Sequence, residues 1–198
     1  MARPRAFDEA DMLARARDLF WEKGYTATSI QDLERHLGLN RSSIYSSLGD
    51  KATLYRKTLA AYRDDNHERI KEELGTTKNL RASLLAMLST AAGAAVPEHC
   101  TGPRGCYIVN ATTELASLDP EMLRFVMNNR ERFTEIMAHA LQQAQARGEL
   151  GPTVNPEADA AYLFLLYNGL QVVVKTQPEP ELLFQVIKRG INGLPWTD

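Results

Sequence analysis

Between residues 41 and 51 the chain concentrates side chains suited to a polyanion: Arg41, Ser42, Ser43, Tyr45, Ser46, Ser47 and Lys51. An arginine fork pairs with guanine in the major groove through two hydrogen bonds, and serine hydroxyls meet donors or acceptors without bulk. A second concentration lies at Cys106, which follows Gly102, Pro103, Arg104 and Gly105 and opens a helix-like segment. A thiol at a helix N-terminus beside Arg104 has its thiolate favoured by the helix dipole and the cation. Cys100 is close enough along the chain to resolve an oxidised Cys106. The alternative for Cys106 is a small buried hydrophobe. Glu135 and His139, four apart, supply two metal-capable groups; two make no site, and a solvated helix pair is the plainer reading. The other histidines, His36, His67 and His99, have no Cys or carboxylate cluster at metal spacing, and no CxxC, GxSxG or phosphate-cradling glycine loop is present. No catalytic residue, metal or cofactor is expected, which leaves an enzyme only through a site invisible in sequence.

The polar cluster needs short helices to present it. Thr28 or Ser29 can cap a first helix, with Gln31 or Asp32 three residues on, and Ile30, Leu33 and Leu37 fall on one face. Gly38 stops that helix, and Asn40 can cap a second after the turn Gly38, Leu39, Asn40. Ile44 and Leu48 would dock the second helix on the first and leave Arg41, Ser42, Ser43, Tyr45 and Ser46 turned outward. This is the short, Gly-containing connection of a helix-turn-helix. An ordinary helical hairpin with a polar outer face is the alternative. Upstream, Asp8 caps a helix to about Lys23 with Gly24 as its stop, and Met12, Leu13, Ala16, Leu19 and Phe20 make the stripe that backs the reader. Residues 1–6 form a basic arm whose Arg3 and Arg5 reach either a minor groove or the phosphates, or else remain solvated.

The run ARDLFWEKGYTATSIQDLERHLG, residues 16–38, followed by GLNRSSIYSSLGDKATLY, residues 38–55, resembles the DNA-binding domain of the TetR family of bacterial repressors. The resemblance covers about the first quarter of the chain. It implies a homodimer on a double-stranded, pseudo-palindromic operator, and a phosphate-contacting role for Lys51 at the start of a helix capped by Asp50. Thr28, at the head of the first reader helix, and Ser47 complete the expected DNA-facing set. Relatives usually carry a ring two positions after Tyr45, where this chain has Ser47, and an apolar aromatic where it has Leu48.

Composition bounds this reading. With 198 residues and 44% hydrophobic content, the chain can bury one medium core and one small one. The 23 Lys and Arg against 25 Asp and Glu give a net charge of −2, low for a nucleic-acid binder, so its basic character must be local. Arg3, Arg5, Arg41 and Lys51 supply it, while acids on faces turned away are screened beyond a Debye length of about 8 Å. The first residues lack the apolar run of a secretory leader, and the longest apolar run, residues 160–167, is too short for a bilayer. The expectation is a cytoplasmic protein without membrane contact, holding two free thiols.

The expected fold is all-α: a three-helix helix-turn-helix domain over 1–51, a linking helix from about 50 to 74, and a larger helical bundle for effector binding and dimerisation within 52–198. Gly75 to Lys78 break the chain after the linking helix. Helices are then expected from about Leu80 into the AAGAA tract, from Arg104 to Ala116, from Pro120 to about Arg147, from Pro156 to about Lys175 and from Pro180 to Ile191. The fourth of these is apolar nearly all round and needs cover on two sides. With the last helix it is expected to form a four-helix dimer interface, a monomer core being the alternative. In TetR-like proteins a small-molecule effector sits between the helices of the second domain. Met87, Tyr107, Asn110, Phe125, Phe133, Met137, Tyr162 and Tyr167 are the expected lining, each with plain core packing as its alternative. Few charges point inward, which favours a neutral or weakly polar aromatic compound. A repressor switched instead through Cys106 and Cys100, and a helical module without DNA activity, are the competing readings.

Overall fold

The computed structural model describes residues 8–92 and 104–197, so Arg3 and Arg5, expected on the DNA, and Cys100, expected as a resolving thiol, lie outside the described residues. The described chain is helical apart from turns and one isolated bridge between Leu150 and Trp196. Its helices are α1 (Glu9–Lys23), α2 (Ile30–Leu37), α3 (Arg41–Ser47), α4 (Lys51–Thr76), α5 (Leu80–Ala91), α6 (Tyr107–Leu115), α7 (Pro120–Ala146), α8 (Pro156–Val173) and α9 (Pro180–Asn192), with a single 3-10 turn at Val174–Thr176. Two compact units divide between Asp64 and Asp65. That boundary falls inside α4, whereas the sequence reading put it at the start of that helix.

In the first unit, the apolar stripes fold as their spacing requires. Met12, Ala16, Leu19 and Phe20 of α1 are buried with Leu33 and Leu37 of α2, Ile44 of α3 and Leu54, Tyr55 and Leu59 of α4. Phe20 meets Tyr55 edge-on, ring centroids 4.9 Å apart, and Trp21 meets Tyr62 at 5.1 Å. Such pairs contribute about 0.5–1.5 kcal/mol beyond their area.

In the second unit, α7 packs along α8 and α5 packs against α9. Leu84, Met87 and Leu88 of α5 share a core with Phe133, Met137 and Leu141 of α7 and Leu163 and Leu170 of α8. Proline stands at the first turn of α7, α8 and α9, where its missing N–H has no helical partner to lose. Asp119 and Asn155 cap α7 and α8 through their side chains.

Two boundaries differ from expectation. The expected break at Gly75 to Lys78 begins two residues later, because α4 continues to Thr76 before α5 starts at Leu80. Helix α6 begins at Tyr107 and not at Arg104, because Gly105 takes a left-handed φ of 67°. A Cβ on Gly105 would lie 2.4 Å from the Gln171 carbonyl oxygen and 2.9 Å from Lys175 Cε, so only glycine permits this approach to the end of α8.

Candidate nucleic-acid interface and ligand cavity

The α2–turn–α3 segment is held by caps at both helices. Ser29 Oγ accepts from the Asp32 amide at 3.1 Å, while the Asp32 carboxylate accepts from the Ser29 amide at 3.0 Å, a complete capping box. The Ser29 hydroxyl and amide hold the Asp32 carboxyl well below the usual range, and Lys23 adds to this at 3.1 Å. Gly38 adopts φ 69° and ends α2; Leu39 buries itself in the turn, and Asn40 Oδ1 accepts from the Ser43 amide at 2.8 Å to open α3. Glu34 of α2 accepts the Arg41 amide at 2.6 Å, tying the two helices together.

Ile44 and Leu48 are buried, so the opposite face of α3 is fixed outward. Arg41, Ser42, Tyr45, Ser46 and Ser47 are exposed, and Ser43 is half-buried. The hydroxyls of Ser42 and Ser47 have no hydrogen-bond partner among the described residues, whereas Ser46 donates to the Ser43 carbonyl at 3.2 Å. Arg41 donates to the Tyr45 hydroxyl at 3.1 Å. Lys51 opens α4 with its ammonium 4.3 Å from the Tyr25 ring centroid, and Asp50 accepts the Thr53 amide at 2.7 Å. Those hydrogen bonds from Thr53 lower the Asp50 carboxyl.

Within the second unit a cavity of about 360 Å³ opens among α4, α6, α7 and α8. Its floor is aromatic: Phe133 lies 5.4 Å from Phe164 and 5.2 Å from Tyr167, centroid to centroid. Leu123, Val126 and Met127 of α7 and Ile108 and Val109 of α6 continue the apolar wall. Polar groups enter from Asn66 and His67 of α4, Asn129 and Arg130 of α7 and Asn168 of α8. Burial pushes the Tyr167 phenol well above its ordinary range, with Cys106 adding to the effect and hydrogen bonds to Asn66 and Gln171 opposing it. Tyr167 is therefore a neutral group in the floor and no proton acceptor for a ligand. A second hollow, about 430 Å³, lies between Leu74 of α4 and Ile136 and Ala140 of α7, with Glu135 and His139 on its rim. No group of three metal-capable side chains occurs among the described residues.

Comparison with known proteins decides the family. Residues 12–58 match the bacterial regulatory proteins of the tetR family, and residues 80–188 match the tetracyclin repressor-like C-terminal domain. The chain belongs to the TetR family. The TetR-family chain is 32% identical over 185 residues to YezE of Bacillus subtilis (strain 168), an uncharacterized HTH-type transcriptional regulator, covering 92% of this chain and 94% of that one. It is 27% identical over 184 residues to the HTH-type transcriptional repressor ComR of Escherichia coli (strain K12), covering 93% and 87%. Among solved structures, a cysteine mutant of the TetR family transcriptional regulator CifR complexed with 26bp double-strand operator DNA superposes with a TM-score of 0.83 at 26% identity, covering 98% of this chain and all of that one.

Within this TetR-family fold the expected site residues separate. Thr28 does not face outward: it is fully buried and its hydroxyl donates to the Gly24 carbonyl at 2.6 Å, because Ser29 takes the capping position instead. Of the expected effector residues, Phe133 and Tyr167 line the 360 Å³ cavity, and Cys106 joins them. Met87 and Met137 point into the core. Tyr107 is buried outside the cavity, and Phe125 is half-buried away from it. Asn110 donates to the Arg104 carbonyl at 3.0 Å, and Tyr162 lies on the outer side of α8, its hydroxyl donating to the Gly190 carbonyl at 3.1 Å. Cys106 is buried at the N-cap of α6, where its side chain makes no capping bond. Sequence reasoning missed Val126, Met127 and Arg130. Their signal is the stripe at 123, 126, 130 and 133 along α7, in which Arg130 interrupts an otherwise apolar row.

Proposed function

We propose that this TetR-family chain is a transcriptional repressor that binds a pseudo-palindromic operator as a homodimer and is released by a small molecule held in the 360 Å³ cavity. The single observation that carries the reading is the outer face of α3. A buried Ile44 and Leu48 lock the helix, and Arg41, Ser42, Tyr45, Ser46 and Ser47 stand free of the core. Arg41, Ser42, Ser43, Tyr45, Ser46 and Ser47 are the proposed base-proximal set, with Lys51, Arg3 and Arg5 on the phosphates or the adjacent minor groove. The dimer places its half-sites one helical turn apart, about 34–36 Å, or a multiple of that. Dimerisation through α8 and α9 is supported by the exposed Leu165, Val172 and Val173 on one and Leu182, Phe184 and Val186 on the other. The chain acts by binding and not by catalysis, and does so in the cytoplasm. Among the described residues no helix is long and apolar enough to cross a membrane.

Selection of bound sequences from a random duplex pool, then titration of the enriched duplex at two salt concentrations, tests the proposal. An enriched palindrome with steep salt dependence is the expected outcome. No enrichment, with weak salt-independent binding, refutes it. An effector that shifts operator affinity through the typical coupling of about 1–3 kcal/mol would account for release.

A second reading is favoured by the presence of Cys106 in the cavity wall. There the same reader is switched by covalent modification of that thiol, with Cys100 as its partner in a disulfide. Mass spectrometry after mild peroxide, together with the Cys106→Ser variant, separates the two: absence of any modified species and an unchanged response in Cys106→Ser leave the reversible effector alone.

A further inference from the structure

We infer that the cavity takes a small organic anion, a carboxylate carried on a single aromatic ring or a branched apolar chain; the inference rests on the cavity being the effector site. Among the described residues no Asp or Glu lines it, while Arg130 does. Arg130 makes no side-chain hydrogen bond or ion pair among the described residues, in contrast to Arg69, which is held by Glu73, and Arg147, which is held by Glu149. An unpaired cation beside an apolar hollow attracts an anionic head and repels a cationic one.

The position of Arg130 assigns the ends of the ligand. Leu123, Met127 and Arg130 are exposed and form the mouth, whereas Phe133 is buried one turn further along the same stripe of α7. Three other polar side chains of the lining are already engaged: Thr112 donates to the Ile108 carbonyl at 2.7 Å, Asn168 donates to the Phe164 carbonyl at 2.7 Å, and Asn66 interacts with Tyr167. Arg130 and Asn129, whose side chains have no hydrogen-bond partner among the described residues, supply donors for an anion at the mouth, while His67 is buried in the wall. The head binds there and the apolar body extends over Val126 to Phe133 and Phe164. A volume of about 360 Å³ stands at the small end of ligand pockets, which suits a compact body such as one ring or a branched chain.

The test is calorimetric titration of the full chain with a panel of phenylalkanoates and branched alkanoates, each beside its neutral primary amide. The carboxylates are expected to bind about tenfold more tightly than their amides, with the preference falling as salt is raised. Arg130→Gln should remove that preference by weakening the acids about tenfold and leaving the amides unchanged. Val126→Trp, which fills the hollow, should abolish binding of both. Ala116→Leu serves the same purpose where the tryptophan lowers the melting temperature. Equal or tighter binding of the amides, or acids unaffected by Arg130→Gln, overturns the anion assignment while loss of binding in Val126→Trp keeps the cavity. Binding of both compounds that survives Val126→Trp and Ala116→Leu rejects the cavity itself and the assignment with it. Binding of neither compound class to the unmodified chain also rejects the assignment.

Discussion

The Arg41 guanidinium donates to the Tyr45 hydroxyl at 3.1 Å, and its central carbon lies 5.3 Å from the Tyr45 ring centroid. One turn of α3 thus aligns the fork with a ring on the exposed face and limits its rotamers before DNA arrives. Arg41→Ala should cost about 1–3 kcal/mol on the selected operator and relax preference at one base pair. Tyr45→Phe keeps the ring and removes the acceptor, so it should weaken operator binding by less than Arg41→Ala. A double-mutant cycle measured by operator titration checks the coupling. Equal losses on operator and random duplex from Arg41→Ala would reject base reading by Arg41.

Lys51 differs from Arg41 in what it can read. Its ammonium lies over the Tyr25 ring, and Lys51 is the first residue of α4, at the helix N-terminus. A point charge there meets phosphate and not a base edge. Lys51→Ala should therefore weaken selected and random duplexes alike and lower the salt slope by about one. Titrations across salt concentration measure this; a sequence-dependent loss would move Lys51 into the reading set.

Thr28 shows where the sequence was ambiguous. Thr28 and Ser29 are both good caps, and the choice depends on which residue meets the Asp32 amide, a matter of one residue of register. Once Ser29 caps, Thr28 is turned inward and its hydroxyl is spent on Gly24. Thr28→Val should therefore destabilise the chain by about 1 kcal/mol and leave the operator sequence preference unchanged. Thermal unfolding and the duplex selection read the two effects separately.

The first unit was largely legible because its information is local. Caps at Asp8, Ser29, Asn40 and Asp50 and stops at Gly24 and Gly38 stand next to the helices they bound. The cavity was less legible because its walls come from four helices brought together only by packing. Phe133 and Tyr167 were recoverable as aromatics on apolar stripes, but Met87 and Met137, of the same character, turn toward the core. Periodicity gives the buried face of a helix and not the point along it at which neighbouring side chains leave space. Arg130 was passed over because an arginine on a long helix ordinarily reads as solvated.

Asp32 carries a pH dependence with a definite sign. Its folded-state pKa is depressed, first by the Ser29 hydroxyl, then by the Ser29 amide and Lys23. A carboxylate depressed below its unfolded value of about 3.9 stabilises the fold above that pH, and the contribution is lost as pH falls through the folded value. The melting temperature of the unmodified chain should exceed that of Asp32→Asn above about pH 5 and converge with it in strong acid. A difference that grows on acidification contradicts the depressed pKa.

The proposed dimer makes the strongest demand on the second unit. Leu165 is 70% exposed on α8, and Phe184 is 44% exposed on α9. On those same helices Leu163, Tyr167, Leu183 and Ile187 are buried, so each helix has an apolar inner side and an apolar outer one. Covering the outer sides with their symmetry mates removes both from water at about 25 cal/mol per Å². Leu165→Glu would instead bring two like charges to a two-fold interface. Light scattering should then report half the mass, while circular dichroism keeps its helical signal because Leu165 takes no part in the intrachain core. Operator affinity should fall by about 10²–10⁴, the advantage that linking two readers confers. A dimer that persists in both Leu165→Glu and Phe184→Glu, with operator binding intact, would place the interface elsewhere.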